Sequence, residues 1–210
     1  MDQKAIYEGV INGDTQAVSE GVRTALAKQV SPSTLLNDCL IPAMREVGER
    51  FERNEFFVPE MLIAARAMGA GMASLKPLLV ESGVPSAGAV AIGTVRGDLH
   101  DIGKNLVSMM FEGAGFEVVD LGVDVSPEAF TQAARDGVDV VAMSALLTTT
   151  MSSIKVTIDA LVKAGLRERV KVLVGGAPVT QAYADQIGAD GYAPDASSAV
   201  RRARELLGLC

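Results

Sequence analysis

His100, the only histidine among 210 residues, stands in a short loop between two aspartates, Asp98 and Asp101. Imidazole is the side chain that changes charge most readily near neutral pH, and it is also a common metal ligand. The stretch TVRGDLHDIGKNL, residues 94–106, could therefore supply proton or metal-ligand chemistry. A lone histidine in a loop is, however, more often a surface or hydrogen-bonding residue than a ligand.

Two further segments carry small and polar residues directly after apolar runs. They are SALLTTT, Ser144–Thr150, and GGAP, Gly175–Pro178. In a doubly wound parallel sheet, ligands bind at the carboxyl ends of the strands, where the strand order reverses. For the common order 2-1-3-4-5 that point lies between strands one and three. We therefore expect the His100 loop and these two segments to meet at one crevice.

The elements that would position these residues form the second half of the chain. Short apolar runs rich in Val, Ile and Ala alternate with helical stretches, which is typical of a parallel sheet covered on both faces. The fold class we predict is a five-stranded, parallel, doubly wound α/β domain of flavodoxin or Rossmann type. The predicted strands are 89–95, 116–122, 138–144, 170–175 and 190–193, and the last helix spans about 195–207.

The first half has the three- and four-residue apolar spacing of helices. Asp14 and Ser31 are expected N-caps, and Pro32 suits a first helical position. A further helix should start near Pro59 and run towards Leu79. Four helices with short connections predict a small four-helix bundle.

The stretch ESGVPSAGA, residues 81–89, is rich in Gly, Ser and Pro and is the predicted linker. It separates a helical cap domain, 1–84, from an α/β domain, 85–210. If the cap has to move away from the ligand, this linker should act as a hinge.

Composition excludes several classes of partner. The net charge is −7 and Trp is absent, so neither a basic face nor base stacking favours nucleic acid. No apolar window is long enough for a membrane span, and the N-terminus lacks the pattern of a secretory signal. Cys39 and Cys210 are too few for a disulfide framework, so we expect a cytoplasmic location.

Other ligand-binding motifs fit poorly. The loop 97–104 resembles a phosphate loop, but its glycines are one residue too far apart and Asn105 replaces the required Ser or Thr. A receiver domain needs an aspartate where this chain has Ser144. One histidine and two distant cysteines do not supply a usual zinc set, and no G-x-G-x-x-G follows a strand.

Structural explanations remain open for each segment on its residues alone. Asp98 or Asp101 could cap the following helix, and Ser144 with 148–150 could be ordinary turn formers. Gly175 and Gly176 could make a tight turn. Each structural explanation is reasonable alone. That all of them hold at once is much less expected, because the segments should meet at one predicted crevice.

Taken together, the segments resemble the signature of cobalamin-binding domains. D-L-H-D-I-G at 98–103, S-A-L at 144–146 and G-G at 175–176 match its D-x-H-x-x-G, S-x-L and G-G parts. NEFFVPEMLIAARAM, within the helical half, resembles the cap that precedes this domain in methionine synthase and in corrinoid methyl carriers. The resemblance covers nearly the whole chain.

The resemblance implies that cobalamin, or a related cobamide, binds with its own base displaced. His100 would be the lower axial ligand of cobalt and Asp98 the carboxylate that accepts the other ring N–H. Thr150 would complete this relay, at a position where methionine synthase has Ser.

The resemblance also implies further cofactor contacts below and above the corrin. Ser144 would hydrogen-bond the displaced base, Leu146 would pack on its tail, and the glycines would admit the tail. The lower contacts are Asp101, Ile102, Gly103, Ser144, Leu146, Thr148, Gly175, Gly176, Tyr192 and Ala193. The apolar cover of the upper face would come from Phe57, Met61 and Met68, while Met72 on the same helix face fits bundle core better.

The function implied is that of a methyl carrier. A chain of this length has no room for a methyltransferase barrel of about 250 residues beside both domains. We therefore expect a substrate:corrinoid methyltransferase and a corrinoid:acceptor methyltransferase as partners, with a reductive reactivase. The donor stays open among methylamines, methanol, betaines and methoxyaromatics. The alternatives are a corrinoid-binding sensor or regulator without methyl transfer and a flavodoxin-like electron carrier, for which the chain lacks an obvious flavin phosphate loop.

Overall fold

The computed structural model describes residues 3–81 and 86–209, and the chain divides into two compact units. The first comprises Met1–Ser86 with Glu112–Gly115, and the second comprises Ala87–Phe111 with Phe116–Cys210. The predicted domain boundary and the middle of the predicted linker fall on 82–85, outside the described residues.

Helices make up the first unit. They are α1 (Gln3–Ile11), α2 (Thr15–Ala27), α3 (Pro32–Leu35), α4 (Ile41–Glu52) and α5 (Val58–Glu81), with a π-helical turn, Leu36–Leu40, that joins α3 directly to α4. Because α3, the turn and α4 follow one another without a break, the described residues form four successive helical segments, as the apolar spacing predicts.

The predicted helix starts in this unit are confirmed. The side chain of Asp14 accepts a hydrogen bond from the Ala17 N–H at 2.9 Å, and that of Ser31 accepts from the Thr34 N–H at 3.0 Å. Pro32 occupies the first turn of α3, where its missing N–H leaves no bond unmade.

A five-stranded parallel sheet forms the second unit. Its order, β2-β1-β3-β4-β5, confirms the predicted topology. The strands are β1 (Ala89–Val95), β2 (Glu117–Val125), β3 (Val140–Ser144), β4 (Lys171–Gly175) and β5 (Gly191–Ala193). The helices are α6 (Ile102–Gly113), α7 (Pro127–Arg135), α8 (Met151–Lys163), α9 (Gln181–Ile187) and α10 (Ala196–Leu206).

The second strand is longer than predicted, because it contains irregularities. Ile92 pairs with Asp120 and Val95 pairs with Val125, so β2 uses two more residues than β1 between these partners. The predicted end at residue 122 was therefore three residues short. Bulges of this kind bend a strand and redirect its side chains.

The core of the second unit lies around the central strands. Most residues of β1, β3 and β4 are buried, and none of them is exposed. Large apolar side chains of the flanking helices, including Phe130, Ile154 and Leu161, pack into the same cluster. Each such side chain stabilises the fold by about 1.5–3 kcal/mol relative to exposure. Among the described residues no helix combines the length and apolar character needed to cross a bilayer.

Candidate functional site

The loop after β1 holds the imidazole of His100 against a buried carboxylate. Asp98 has no exposed surface, and its Oδ1 lies 2.7 Å from His100 Nδ1 and accepts the His100 backbone N–H at 3.1 Å. Because an ionised carboxylate only accepts hydrogen bonds, Nδ1 carries the proton. The His100 side chain is 50% exposed, and Nε2 is the ring nitrogen left for a ligand.

The second oxygen of Asp98 joins this loop to the segment after β3. Oδ2 accepts hydrogen bonds from Leu146 N–H at 2.8 Å and from Thr150 Oγ1 at 2.7 Å, with Leu147 N–H at 3.3 Å. Asp98 therefore does not cap α6, whereas Asp101, the other aspartate considered for that cap, directly precedes the helix. The structure brings Asp98, His100 and Thr150 into one network.

Asp98 is held in its ionised form by this network. Burial by itself would raise the pKa of Asp98. The hydrogen bonds from Thr150, Leu146 and His100 favour the charged form and outweigh burial, so the pKa lies well below its usual range. A carboxylate that stays ionised at neutral pH can hold the imidazole in one orientation.

The third predicted segment, Gly175–Gly176, lies beside the second at the same edge of the sheet. Ser144, half-buried, is in register with Gly175, and the Ala145 N–H donates to the Gly175 carbonyl oxygen at 3.2 Å. A Cβ on Gly176 would lie 1.9 Å from the Ala145 carbonyl oxygen, and the φ of Gly176 is +119°. A side chain at 176 is therefore incompatible with this backbone.

The end of β5 continues this edge of the sheet. Ala193 is in register with Gly175, and a Cβ on Gly175 would come 2.9 Å from the Ala193 carbonyl oxygen. Tyr192 is half-buried and Ala193 is buried. Strand packing thus accounts for both glycines, and their proposed contact with a nucleotide tail stays a prediction.

Exposed apolar residues lie next to His100 in its loop and in the segment after β3 that bonds to Asp98. Leu99 is 72% and Ile102 is 82% exposed, and Leu146 and Leu147 are exposed as well. Apolar residues that gather at an exposed site typically mark a binding surface. Gly103 adds open space, since among the described residues nothing outside its own helical turn would come within 4 Å of a Cβ there.

The two remaining predicted lower contacts, Asp101 and Thr148, are exposed residues. Asp101 is exposed, and its Oδ2 accepts a hydrogen bond from the Asn105 side-chain amide at 3.1 Å. Thr148 is exposed in the turn before α8. Both remain predictions as cofactor contacts.

The predicted upper contacts lie in the helical unit and differ in exposure. Met61 and Met68 on α5 are buried, Met72 is half-buried, and Phe57, just before α5, is 61% exposed. Phe57 thus presents an apolar surface, whereas Met61 and Met68 have the burial of bundle core. Their role as a cover for the cofactor stays a prediction.

Two residues that sequence reasoning missed also hold the loop. The buried Thr94 hydroxyl donates to the His100 carbonyl oxygen at 2.8 Å, and Oδ1 of Asp124 accepts the Gly97 N–H at 2.7 Å. A hydroxyl or carboxylate at the end of an otherwise apolar strand was the available signal. It is too common to be decisive before the fold is known.

Family models match both halves of the chain. One, described as B12 binding domain, matches residues 88–201, and a second with the same description matches residues 3–76. A dimethylamine corrinoid protein of Methanosarcina barkeri is 49% identical over 181 residues, which are 85% of this chain and 85% of that protein.

Solved structures give the same result. A novel cobalamin-binding protein from Desulfitobacterium hafniense DCB-2 matches with a TM-score of 0.80 and 33% identity, over 97% of this chain and 98% of that one. A chain of the methanol:cobalamin methyltransferase complex MtaBC from Methanosarcina barkeri matches with a TM-score of 0.86 and 30% identity, over 98% and 79% respectively.

Proposed function

The chain belongs to the corrinoid proteins with a B12 binding domain, and on that premise we propose that it carries a methyl group on the cobalt of a bound corrinoid. One observation carries the proposal: a half-exposed imidazole whose Nδ1 is held by a buried, ionised carboxylate. Imidazole nitrogen suits cobalt, and a carboxylate on the opposite nitrogen fixes the required tautomer and increases the basicity of the ligand.

The described residues fit a corrinoid. The ring of His100 stands among exposed apolar side chains, above all Leu99 and Ile102, which can lie against a large macrocycle. Gly103 leaves the start of α6 open. When bound, a corrinoid supplies a cobalt centre that accepts a methyl group from one partner and gives it to another.

The residues around His100 have distinct tasks in this proposal. Asp98 accepts the Nδ1–H and so leaves Nε2 as the nitrogen that would hold the metal, while Thr150 and the backbone N–H of Leu146 keep Asp98 ionised and in place. Because Asp98 stays ionised, it can accept a hydrogen bond from a neutral or a protonated ring alike. The imidazole can therefore be bound or released without rearrangement of its support.

We take a methylamine, in the first place dimethylamine, as the source of the methyl group. The support is the 49% identity to a dimethylamine corrinoid protein over 85% of this chain. The partners would be a methylamine:corrinoid methyltransferase and a corrinoid:acceptor methyltransferase, with a reductive reactivase. Asp101, Ser144, Leu146, Thr148, Tyr192 and the glycines at 175 and 176 would contact the lower part of the cofactor.

The ligand role can be tested site-specifically, because His100 is the only histidine. The chain is labelled with nitrogen-15 histidine, reconstituted with cob(II)alamin and measured by electron paramagnetic resonance. Axial coordination by His100 should give the doublet splitting of nitrogen-15 in place of the triplet of nitrogen-14. In His100→Ala the doublet should vanish while corrinoid stays bound. A triplet in the labelled wild-type chain would refute the assignment, since it would come from the base of the cofactor.

The methyl donor is tested with purified methyltransferases specific for dimethylamine, monomethylamine and methanol. Each is mixed with the loaded chain and its own substrate, and methylation of the corrinoid is followed by visible absorption. We expect the fastest methylation from dimethylamine. Faster methylation in the methanol system would overturn the choice of donor, and corrinoid binding without methylation by any partner would favour a sensor.

A further inference from the structure

Asp124, near the end of β2, contacts the His100 loop through both its backbone and its side chain. Its backbone N–H donates to the Asp98 carbonyl oxygen at 3.0 Å, and its Oδ1 accepts the Gly97 N–H at 2.7 Å. The second bond is short and has a carboxylate acceptor, the combination found in strong hydrogen bonds. Together the two bonds hold the dipeptide Gly97–Asp98 on both sides, directly before the residues that present the imidazole.

The backbone of β2 is shaped to place Asp124 there. Its φ is +52°, a left-handed conformation that costs most side chains about 1–2 kcal/mol and that Asp and Asn tolerate best. Two irregularities between Asp120 and Val125 lengthen this part of the strand. The Gly122 N–H donates to Asp120 Oδ1 at 2.8 Å and so closes the first of them.

We propose that Asp124 is a positioning residue for the axial ligand His100. It fixes the backbone of Gly97 and Asp98, and through Asp98 it sets the direction in which Nε2 points. This extends the function proposed above and rests on His100 being the cobalt ligand. Asp124 acts through the backbone of the loop and is not itself a ligand or a catalytic group.

Three substitutions separate the side chain of Asp124 from its backbone. Asp124→Gly keeps the left-handed conformation and the N–H donor and removes only the carboxylate. Asp124→Asn keeps an Oδ1 acceptor and should restore the contact. Gln29→Gly is the matched control, because Gln29 is exposed, has a φ of +62° and lies in the other unit.

The first measurement uses the cofactor-free chain. Exchange of the Gly97 amide hydrogen, followed by nuclear magnetic resonance, should be about tenfold faster or more in Asp124→Gly, as expected for loss of a hydrogen bond to a charged group. Asp124→Asn and Gln29→Gly should exchange at the wild-type rate. Unchanged exchange in Asp124→Gly would overturn the proposal.

The second measurement uses nitrogen-15 histidine and cob(II)alamin, as above. The share of the nitrogen-15 doublet should fall in Asp124→Gly and recover in Asp124→Asn, with bound corrinoid equal in all variants. If the wild type shows the doublet and Asp124→Gly shows it undiminished, the positioning role is wrong while the ligand role stands. If the wild type shows no doublet, the ligand role fails and takes the positioning role with it.

Discussion

The Asp98 carboxylate is fully buried, and the polar groups that bond to it are all donors. They lie on two loops that are distant in sequence. In Asp98→Asn one oxygen becomes an NH₂ donor that faces other donors. We expect the free energy of unfolding to fall by about 2–4 kcal/mol, the cost of unsatisfied buried groups. Urea denaturation of the cofactor-free chain measures it. Asp101→Asn, at an exposed carboxylate, is the control and should stay within about 0.5 kcal/mol.

The same carboxylate predicts a dependence of stability on acid. Its pKa is lower in the folded than in the unfolded chain, so its contribution is complete above the unfolded value of about 3.9 and is lost as the pH falls towards the folded value. The difference in unfolding free energy between wild type and Asp98→Asn should be constant above about pH 5 and shrink below about pH 4. A difference that grows in acid would contradict the depressed pKa.

Glycines at the site offer a second residue-scale prediction, because two of them are constrained differently. In Gly176→Ala the new Cβ would meet the Ala145 carbonyl oxygen at 1.9 Å, so we expect a loss of about 3 kcal/mol or more in unfolding free energy. Around Gly103, by contrast, the part of the chain that the structure describes leaves a Cβ free of contacts beyond the helix's own turn. Gly103→Ala should therefore fold as well as the wild type yet bind corrinoid about tenfold more weakly, a change of 1.4 kcal/mol.

The matched control for Gly103 is Gly69, which is exposed in α5 and equally open around a Cβ. Gly69→Ala should raise the unfolding free energy by about 0.5–1 kcal/mol, because Ala favours a helix interior over Gly, and should leave the corrinoid titration unchanged. If Gly103→Ala binds corrinoid with wild-type affinity, the start of α6 does not lie against the macrocycle.

At the scale of elements, α6 is tied to β2 by an ion pair of unequal exposure. Lys104 is almost fully buried, whereas 42% of the Asp120 side chain is exposed, and Nζ lies 2.6 Å from both carboxylate oxygens. Burial would raise the pKa of Asp120, but the Lys104 ammonium and the Gly122 N–H lower it on balance. Removal of one partner should therefore have different consequences on the two sides.

Asp120→Ala leaves a buried ammonium without its counter-charge, and we expect a loss of about 2–4 kcal/mol in unfolding free energy. Lys104→Met leaves a carboxylate that water can reach and fills the space of the lysine stem, so its loss should stay below about 1 kcal/mol. Urea denaturation of both variants checks the order. Equal losses would mean that Lys104 is hydrated once Asp120 is gone.

Elements whose residues face the core were predictable from the sequence. The strand 89–95 was predicted with the ends it has, because a central strand buried on both faces is an uninterrupted apolar run. β2 was not, because Asp120 and Asp124 interrupt its apolar pattern and its bulges depend on one left-handed residue. The π-helical turn Leu36–Leu40 was missed for a related reason, since one extra residue in a turn leaves no period to detect.

The candidate site, too, was predictable from the sequence only in part. Topology alone predicted that the loops after β1, β3 and β4 would meet, and hydrogen bonds from Leu146 and Thr150 to Asp98 join the first two. The supports at Thr94 and Asp124 could not be predicted, because they depend on backbone positions set by register. Residue type identifies a group that can react, whereas the group that orients it is defined by geometry.

At the scale of the whole molecule, the chain consists of two compact units. A bound corrinoid can stabilise one unit more than the other. The polar network around His100 lies entirely in the second unit, so ligand binding should act mainly there. A ligand at one hundred times its dissociation constant adds about 2.7 kcal/mol to the stability of the unit that binds it. The three tyrosines report on the units separately, since Tyr7 lies in the first and Tyr183 and Tyr192 in the second.

Fluorotyrosine labelling and fluorine magnetic resonance across a urea series would follow each unit in one sample. With saturating cobalamin we expect the unfolding midpoints of Tyr183 and Tyr192 to rise together, and that of Tyr7 to rise less. The physical reason is that Phe57, Met61 and Met68 would add only apolar cover, whereas the second unit would hold the metal ligand. An equal rise for Tyr7 would show that the helical unit takes as large a share in binding, and no rise at all would remove the corrinoid site from the second unit.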